Sequence, residues 1–137
     1  RWWLVESRER RAAFLSEAVT AMGVHERVEV LHGRAEDVGR DDQRRGRCGL
    51  VTARSFGPPP VTAECAAALL VPNGLLVVSE PPEARANRWP RGPLAQLGLV
   101  PARTVDGPPR LQVLRLDGDC PPGYPRESGR AKRRPLW

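Results

Sequence analysis

A chain of 137 residues with a hydrophobic fraction of 40% suffices for one globular domain, and its net charge of +6 favours polyanionic partners such as nucleic acid. Lys132 is its only lysine, so the positive balance rests almost wholly on arginine. Cys48, Cys65 and Cys120 are too few and too scattered for a disulfide framework or a metal site, and no apolar run approaches the ~20 residues of a membrane span. A cytoplasmic protein with buried or idle thiols, no metal and no membrane partner is expected.

Trp3-Leu4-Val5-Glu6 reads as a short apolar strand ending in a carboxylate, with an amphipathic helix directly after it. Ala12, Ala13, Leu15, Ala18, Val19 and Met22 recur at helical spacing over about residues 8–22. Ser7 is placed to cap that helix, and Gly23 to end it. Val28-Glu29-Val30-Leu31 predicts a second strand, and residues 32–37 a loop with an acidic pair. Residues 39–47 read as a solvated mixed-charge turn. A third strand is expected over residues 49–53, closed by Arg54-Ser55-Phe56-Gly57 and three prolines. A helix over 61–70 follows, packing through Ala66, Ala67, Leu69 and Leu70; Pro72-Asn73-Gly74 then makes a tight turn. Leu75-Leu76-Val77-Val78 is a continuous apolar strand of the kind buried on both faces of a parallel sheet. Residues 81–93 show little periodicity, residues 94–97 suggest a short helix, and residues 99–105 and 111–116 an antiparallel hairpin turning at Asp106-Gly107-Pro108-Pro109.

Alternating strands and helices argue for an α/β domain with a mainly parallel sheet over residues 1–118. Residues 119–137 change to Pro, Gly and Arg, a basic tail without an apolar face. Loops after Val5, Leu31 and Ala53 place polar groups at strand carboxyl ends, where open α/β sheets bind ligands; a carboxylate such as Glu6 there suits ribose hydroxyls.

Leu4-Val5-Glu6-Ser7-Arg8-Glu9-Arg10-Arg11, Arg34-Ala35-Glu36, Ala53-Arg54-Ser55-Phe56-Gly57 and Tyr124-Pro125-Arg126-Glu127-Ser128-Gly129 occur in that order. Together they resemble the RsmG (GidB) family, S-adenosylmethionine-dependent methyltransferases acting on guanine N-7 of small-subunit ribosomal RNA. The resemblance implies a Rossmann-like class I methyltransferase fold, S-adenosyl-L-methionine as cofactor and ribosomal RNA as partner; a monomer is expected. Glu6, beside Ser7, would accept from the cofactor ribose, Ala35 and Glu36 would lie against the adenine, with a loop acid paired with Arg34 as the alternative for Glu36, and Arg54 would face the cofactor or target base. Arg126, Arg130, Lys132, Arg133 and Arg134 would neutralise RNA phosphates. Phe56 is read as a core aromatic, with base stacking as its alternative.

The departures from the family are equally specific. Its first strand, with a glycine-rich loop, would lie between the strands ending at Glu6 and Ala53, and does not occur here. The chain starts at Arg1, so an N-terminal truncation, inactive alone, is expected. Glu80 stands where relatives carry a Lys-Gly, reversing the local charge. Methyl transfer to a ring nitrogen needs positioning more than acid–base help, so no catalytic base is assigned, and His25 and His32 are read as surface residues. A non-catalytic RNA-binding remnant acting through the tail is the alternative function.

Overall fold

The computed structural model describes residues 1–83 and 87–137; the Pro-rich stretch 81–93 thus lies partly outside the described residues. Apolar residues 2–5 and the β-branched Val28 and Val30 form β1 (Trp2–Glu6) and β2 (Val28–His32), paired in parallel from Trp2 opposite Val28 to Glu6 opposite His32. Between them runs α1 (Glu9–Ala21), ended as expected by Gly23 at φ +65°. Its start differs from the expectation. Arg8 occupies the N-cap position and no side chain caps the helix; the Glu6 carboxylate instead accepts from the Arg8 amide at 2.8 Å. Of the predicted packing face only Ala12 and Val19 are buried, whereas Ala13 is exposed with Phe14 and Met22.

The loop expected over 32–37 is in part a short helix, α2 (Ala35–Arg40), too brief to reveal a period. Beyond it lie β3 (Cys48–Ala53), α3 (Pro59–Ala67) and β4 (Leu70–Ser79). The prolines that end β3 also open α3, since a missing amide hydrogen costs nothing in a first turn. Pro72-Asn73-Gly74 is an excursion inside β4, with Asn73 at φ +65°, rather than a turn ahead of it. After α4 (Arg91–Ala95), β5 (Leu99–Val105) and β6 (Leu111–Leu116) form the expected antiparallel hairpin.

The strands lie in the orders β1-β2 and β3-β4-β6-β5, with β3 parallel to β4 and β6 antiparallel to both β4 and β5. This is the α/β class read from the sequence, with a mixed second sheet. Leu76, Leu94, Leu97, Leu99, Leu114 and Leu116 fill its core, so the second sheet holds most of the buried apolar volume. β1 and β3 each have a single ladder partner, and their other edges are unpaired among the described residues. Parallel strands are normally covered on both faces, yet Leu50 of β3 is 41% exposed and Trp2 of β1 52%.

Gly98 links α4 to β5 at φ +73°, and a β-carbon there would sit 2.9 Å from the Asp119 carbonyl oxygen. Gly98→Ala should therefore cost about 1–3 kcal/mol, through left-handed strain and overlap with fixed backbone. Urea titration should show a lower midpoint with an unchanged slope.

The tail is not the polar end the sequence suggested. Pro125 is fully buried, Ala131 is 1% exposed, and Leu136 and Trp137 pack on the second sheet's core. A short helix, α5 (Arg130–Arg133), carries Arg130, Lys132 and Arg133.

Candidate functional site

A cleft of about 510 Å³ runs between the unpaired edges of β1 and β3. Val5, Ala53, Ala35 and Phe56 meet along it, together with Thr62 and Cys65 of α3. A second pocket of about 220 Å³ lies at the carboxyl ends of β3 and β4 and shares Ala53, Phe56 and Thr62 with the first. Phe56 is thus a wall common to both, 49% exposed, and not the core aromatic expected. Its exposure follows from the turn it sits in, where Ser55 adopts φ +51° directly after the strand.

Glu6 stands at the end of β1, one residue beyond the cleft-lining Val5. Its Oε1 holds the Arg8 amide, and its Oε2 has no hydrogen-bond partner among the described residues. A carboxylate oxygen left free in this way can accept from a vicinal diol, so the nucleoside half of a cofactor fits the residues present. Ser7 is exposed and makes no side-chain hydrogen bond among the described residues. Ala35 opens α2 and is half-buried at the cleft wall.

Glu36 is placed elsewhere. It is 4% exposed, and its Oε1 accepts from the Gly129 amide at 3.1 Å and from Arg34 Nη2 at 3.2 Å. Burial works to raise its carboxyl, but its own amide, the Gly129 amide and Arg34 outweigh that and hold it below the ordinary range. A carboxyl lowered by folding stabilises the fold above its unfolded-state pKa, and this contribution is lost as pH falls through the folded value. Glu36→Gln should accordingly lessen the loss of stability on acidification below the ordinary carboxylate range while lowering stability at pH 7. Thermal melts across pH 3–7 measure both effects.

Arg54 is exposed, lines the second pocket and has no ion-pair partner among the described residues. Glu80 faces the same pocket but is no free negative charge: it is 8% exposed and accepts from Arg88 Nε at 2.7 Å and Trp89 Nε1 at 3.0 Å. The reversal of charge expected from the sequence is offset by a cation eight residues away, a pairing no local pattern announces. Cys65 lines the cleft, where burial and then the carboxylates of Glu36 and Glu64 push its thiol up to about 12, so it is no nucleophile at neutral pH. His25 and His32 are exposed and line neither pocket.

Of the tail cations, Arg130, Lys132, Arg133 and Arg134 are exposed, but Arg126 is engaged. Its guanidinium meets Glu64 through Nε at 2.9 Å and Nη2 at 2.6 Å, and its amide donates to the same carboxylate at 2.8 Å. The sequence reading passed over Glu64, because an acid inside an apolar helix looks like a solvated position until its partner, 62 residues away, is placed. It also passed over Arg45. The expected solvated turn instead sends this side chain to the carbonyls of Cys120 at 2.9 Å, Pro121 at 3.0 Å and Tyr124.

Among the described residues no group of three or more His, Cys, Asp or Glu could hold a metal ion, and no helix is long and apolar enough to cross a membrane. The family model for rRNA small subunit methyltransferase G (GidB) matches residues 1–85. The Ribosomal RNA small subunit methyltransferase G of Pelotomaculum thermopropionicum is 33% identical over 141 residues, covering 97% of this chain and 59% of that protein. The protein of the same name from Thermoanaerobacter sp. is 27% identical, with 97% and 58% covered. The chain thus spans less than two thirds of the length of these relatives. Among solved structures, the antibiotic-resistance methyltransferase Kmr superposes with a TM-score of 0.63 at 15% identity, over 83% of this chain and 73% of its own. The [4+2]-cyclase SpnF does so at 0.61 and 14%, over 85% and 66%. These two likenesses show the class I methyltransferase fold alone, since the second is named for a different reaction.

Proposed function

Because the chain belongs to the rRNA small subunit methyltransferase G (GidB) family, we propose that it forms the cofactor- and RNA-facing part of an enzyme that methylates guanine N-7 of small-subunit ribosomal RNA. The observation that carries this reading is the convergence of Val5, Ala35, Ala53 and Phe56 on one cleft, with Glu6, whose Oε2 has no hydrogen-bond partner among the described residues, directly after Val5 at the end of β1. When bound, S-adenosylmethionine supplies a methyl group on a sulfonium, whose sulfur leaves as a neutral thioether, to a ring nitrogen that already carries a lone pair.

The chain's own residues have to position and exclude water more than move protons. Glu6 accepts from the ribose hydroxyls, and Ala35 lies along the adenine. Glu36 is withdrawn from that role by its bonds to Gly129 and Arg34. Phe56 stands between the two pockets and offers a face for the target base, while Arg54 attracts the RNA phosphate beside it or the exocyclic oxygen of the guanine. Arg130, Lys132, Arg133 and Arg134 neutralise the RNA backbone.

The test uses a hybrid in which this chain replaces the matched part of the Pelotomaculum protein. With methyl-labelled S-adenosylmethionine, label is expected in small-subunit ribosomal RNA as 7-methylguanine. Label at any other ring position or on ribose would overturn the N-7 assignment.

A further inference from the structure

Two buried carboxylates outside the cleft share one task. Glu64 of α3 is fully buried and meets the Arg126 guanidinium and amide; Glu36 of α2 meets the Gly129 amide. Between these two points the chain has little freedom left. Just ahead of them Pro125 is buried against Gly39, where even a β-carbon would come 3.1 Å from its Cγ. At the second of them Gly129 turns at φ +77°, and just beyond it Ala131 is buried with Val61 and Cys65 of α3. The four neighbouring cations, Arg130, Lys132, Arg133 and Arg134, are all exposed. Lys132 borders a groove of about 320 Å³ with Pro59 and Arg88, and both of those residues also line the pocket of Arg54 and Phe56.

We propose that Glu64 is a positioning residue for RNA binding: by holding Arg126, and with Glu36 holding Gly129, it fixes residues 130–134 beside the pocket of Arg54 and Phe56, where their side chains take the phosphates of an RNA strand. This rests on the RNA-binding reading above and adds a cause for its affinity. A free basic tail pays its ordering entropy when it binds, whereas a docked one has paid it on folding. Burying an acid is expensive unless it is paired, and Glu64 faces a bidentate fork plus an amide, so the lock is specific to Arg126 and not a general attraction for arginine.

The test is fluorescence anisotropy of the 137-residue chain with a short RNA stem-loop at several salt concentrations. Glu64→Gln and Arg126→Gln should each weaken binding about tenfold as preorganisation is lost, and the double variant should be no weaker than either single one. Each should flatten the salt dependence by at least one phosphate contact, a slope change of about 0.7–0.9, and speed tryptic cleavage within residues 130–134. Arg126→Lys, which keeps the charge but not the fork, should give an intermediate affinity and serves where Glu64→Gln does not fold. Unchanged affinity and salt slope in folded Glu64→Gln, or in Arg126→Lys where that variant stands in, would overturn the proposal. The combined variant R130A, K132A, R133A and R134A separates the two claims. If it binds RNA like the parent, the RNA-binding reading falls and this proposal with it; if it alone loses binding, only the positioning role falls.

Discussion

Titrated with S-adenosylmethionine in a calorimeter, the 137-residue chain alone is expected to give no saturable heat below about 1 mM, which corresponds to about −4 kcal/mol. The reason lies in the cleft, not in the residues that line it. Small-molecule sites are largely preformed and enclose most of the ligand. Here the cleft is bounded by two strand edges whose amides and carbonyls have no ladder partners among the described residues. Such edges also recruit other strands, so self-association competes with ligand entry. In the hybrid described above, Glu6→Ala should weaken the cofactor about 10- to 150-fold, the worth of a hydrogen bond to a charged acceptor, about 1.5–3 kcal/mol. Micromolar binding by the isolated chain would show that the cleft is already a complete site; unaltered binding by the Glu6 variant would remove that carboxylate from it.

Removing the partner of the buried acid should produce the largest loss of stability in the molecule. Arg126→Ala strands the Glu64 carboxylate, whose side chain is 1% exposed, and should cost about 3–5 kcal/mol. Domains of this size have only about 5–15 kcal/mol in total, so thermal melting should move down sharply or become incomplete. By contrast, Arg34→Ala should cost no more than about 1 kcal/mol, because Arg34 is 50% exposed and water replaces much of what it gives Glu36. Equal effects of the two substitutions, measured by denaturant titration, would show that the Glu64–Arg126 contact is as weak as a surface pair.

The acid at residue 6, the turn at residues 53–57 and the 124–129 motif were legible as separate patches along the chain. What they do to one another was not. Glu36 is a ligand-facing acid only by the family resemblance; its pairing with Arg34 is legible locally, but its partner amide lies 93 residues further on. Phe56 reads as core because aromatics generally are, yet a left-handed residue before it turns the ring outward. On α1 the apolar residues recur at helical spacing, but a spacing shows only that a face exists. Ala13 and Met22 remain exposed because the described residues put nothing against them.

By itself the sequence determined the strand–helix alternation, the antiparallel hairpin and the family, since these follow from local periodicity, turn residues and short motifs in order. Only the tertiary structure decided that Glu64 and Glu36 hold the tail, that Arg88 neutralises Glu80, and that Phe56 separates two pockets. The physical reason is that a buried charge takes its role from its partner, and a partner tens of residues away leaves no trace in the local pattern.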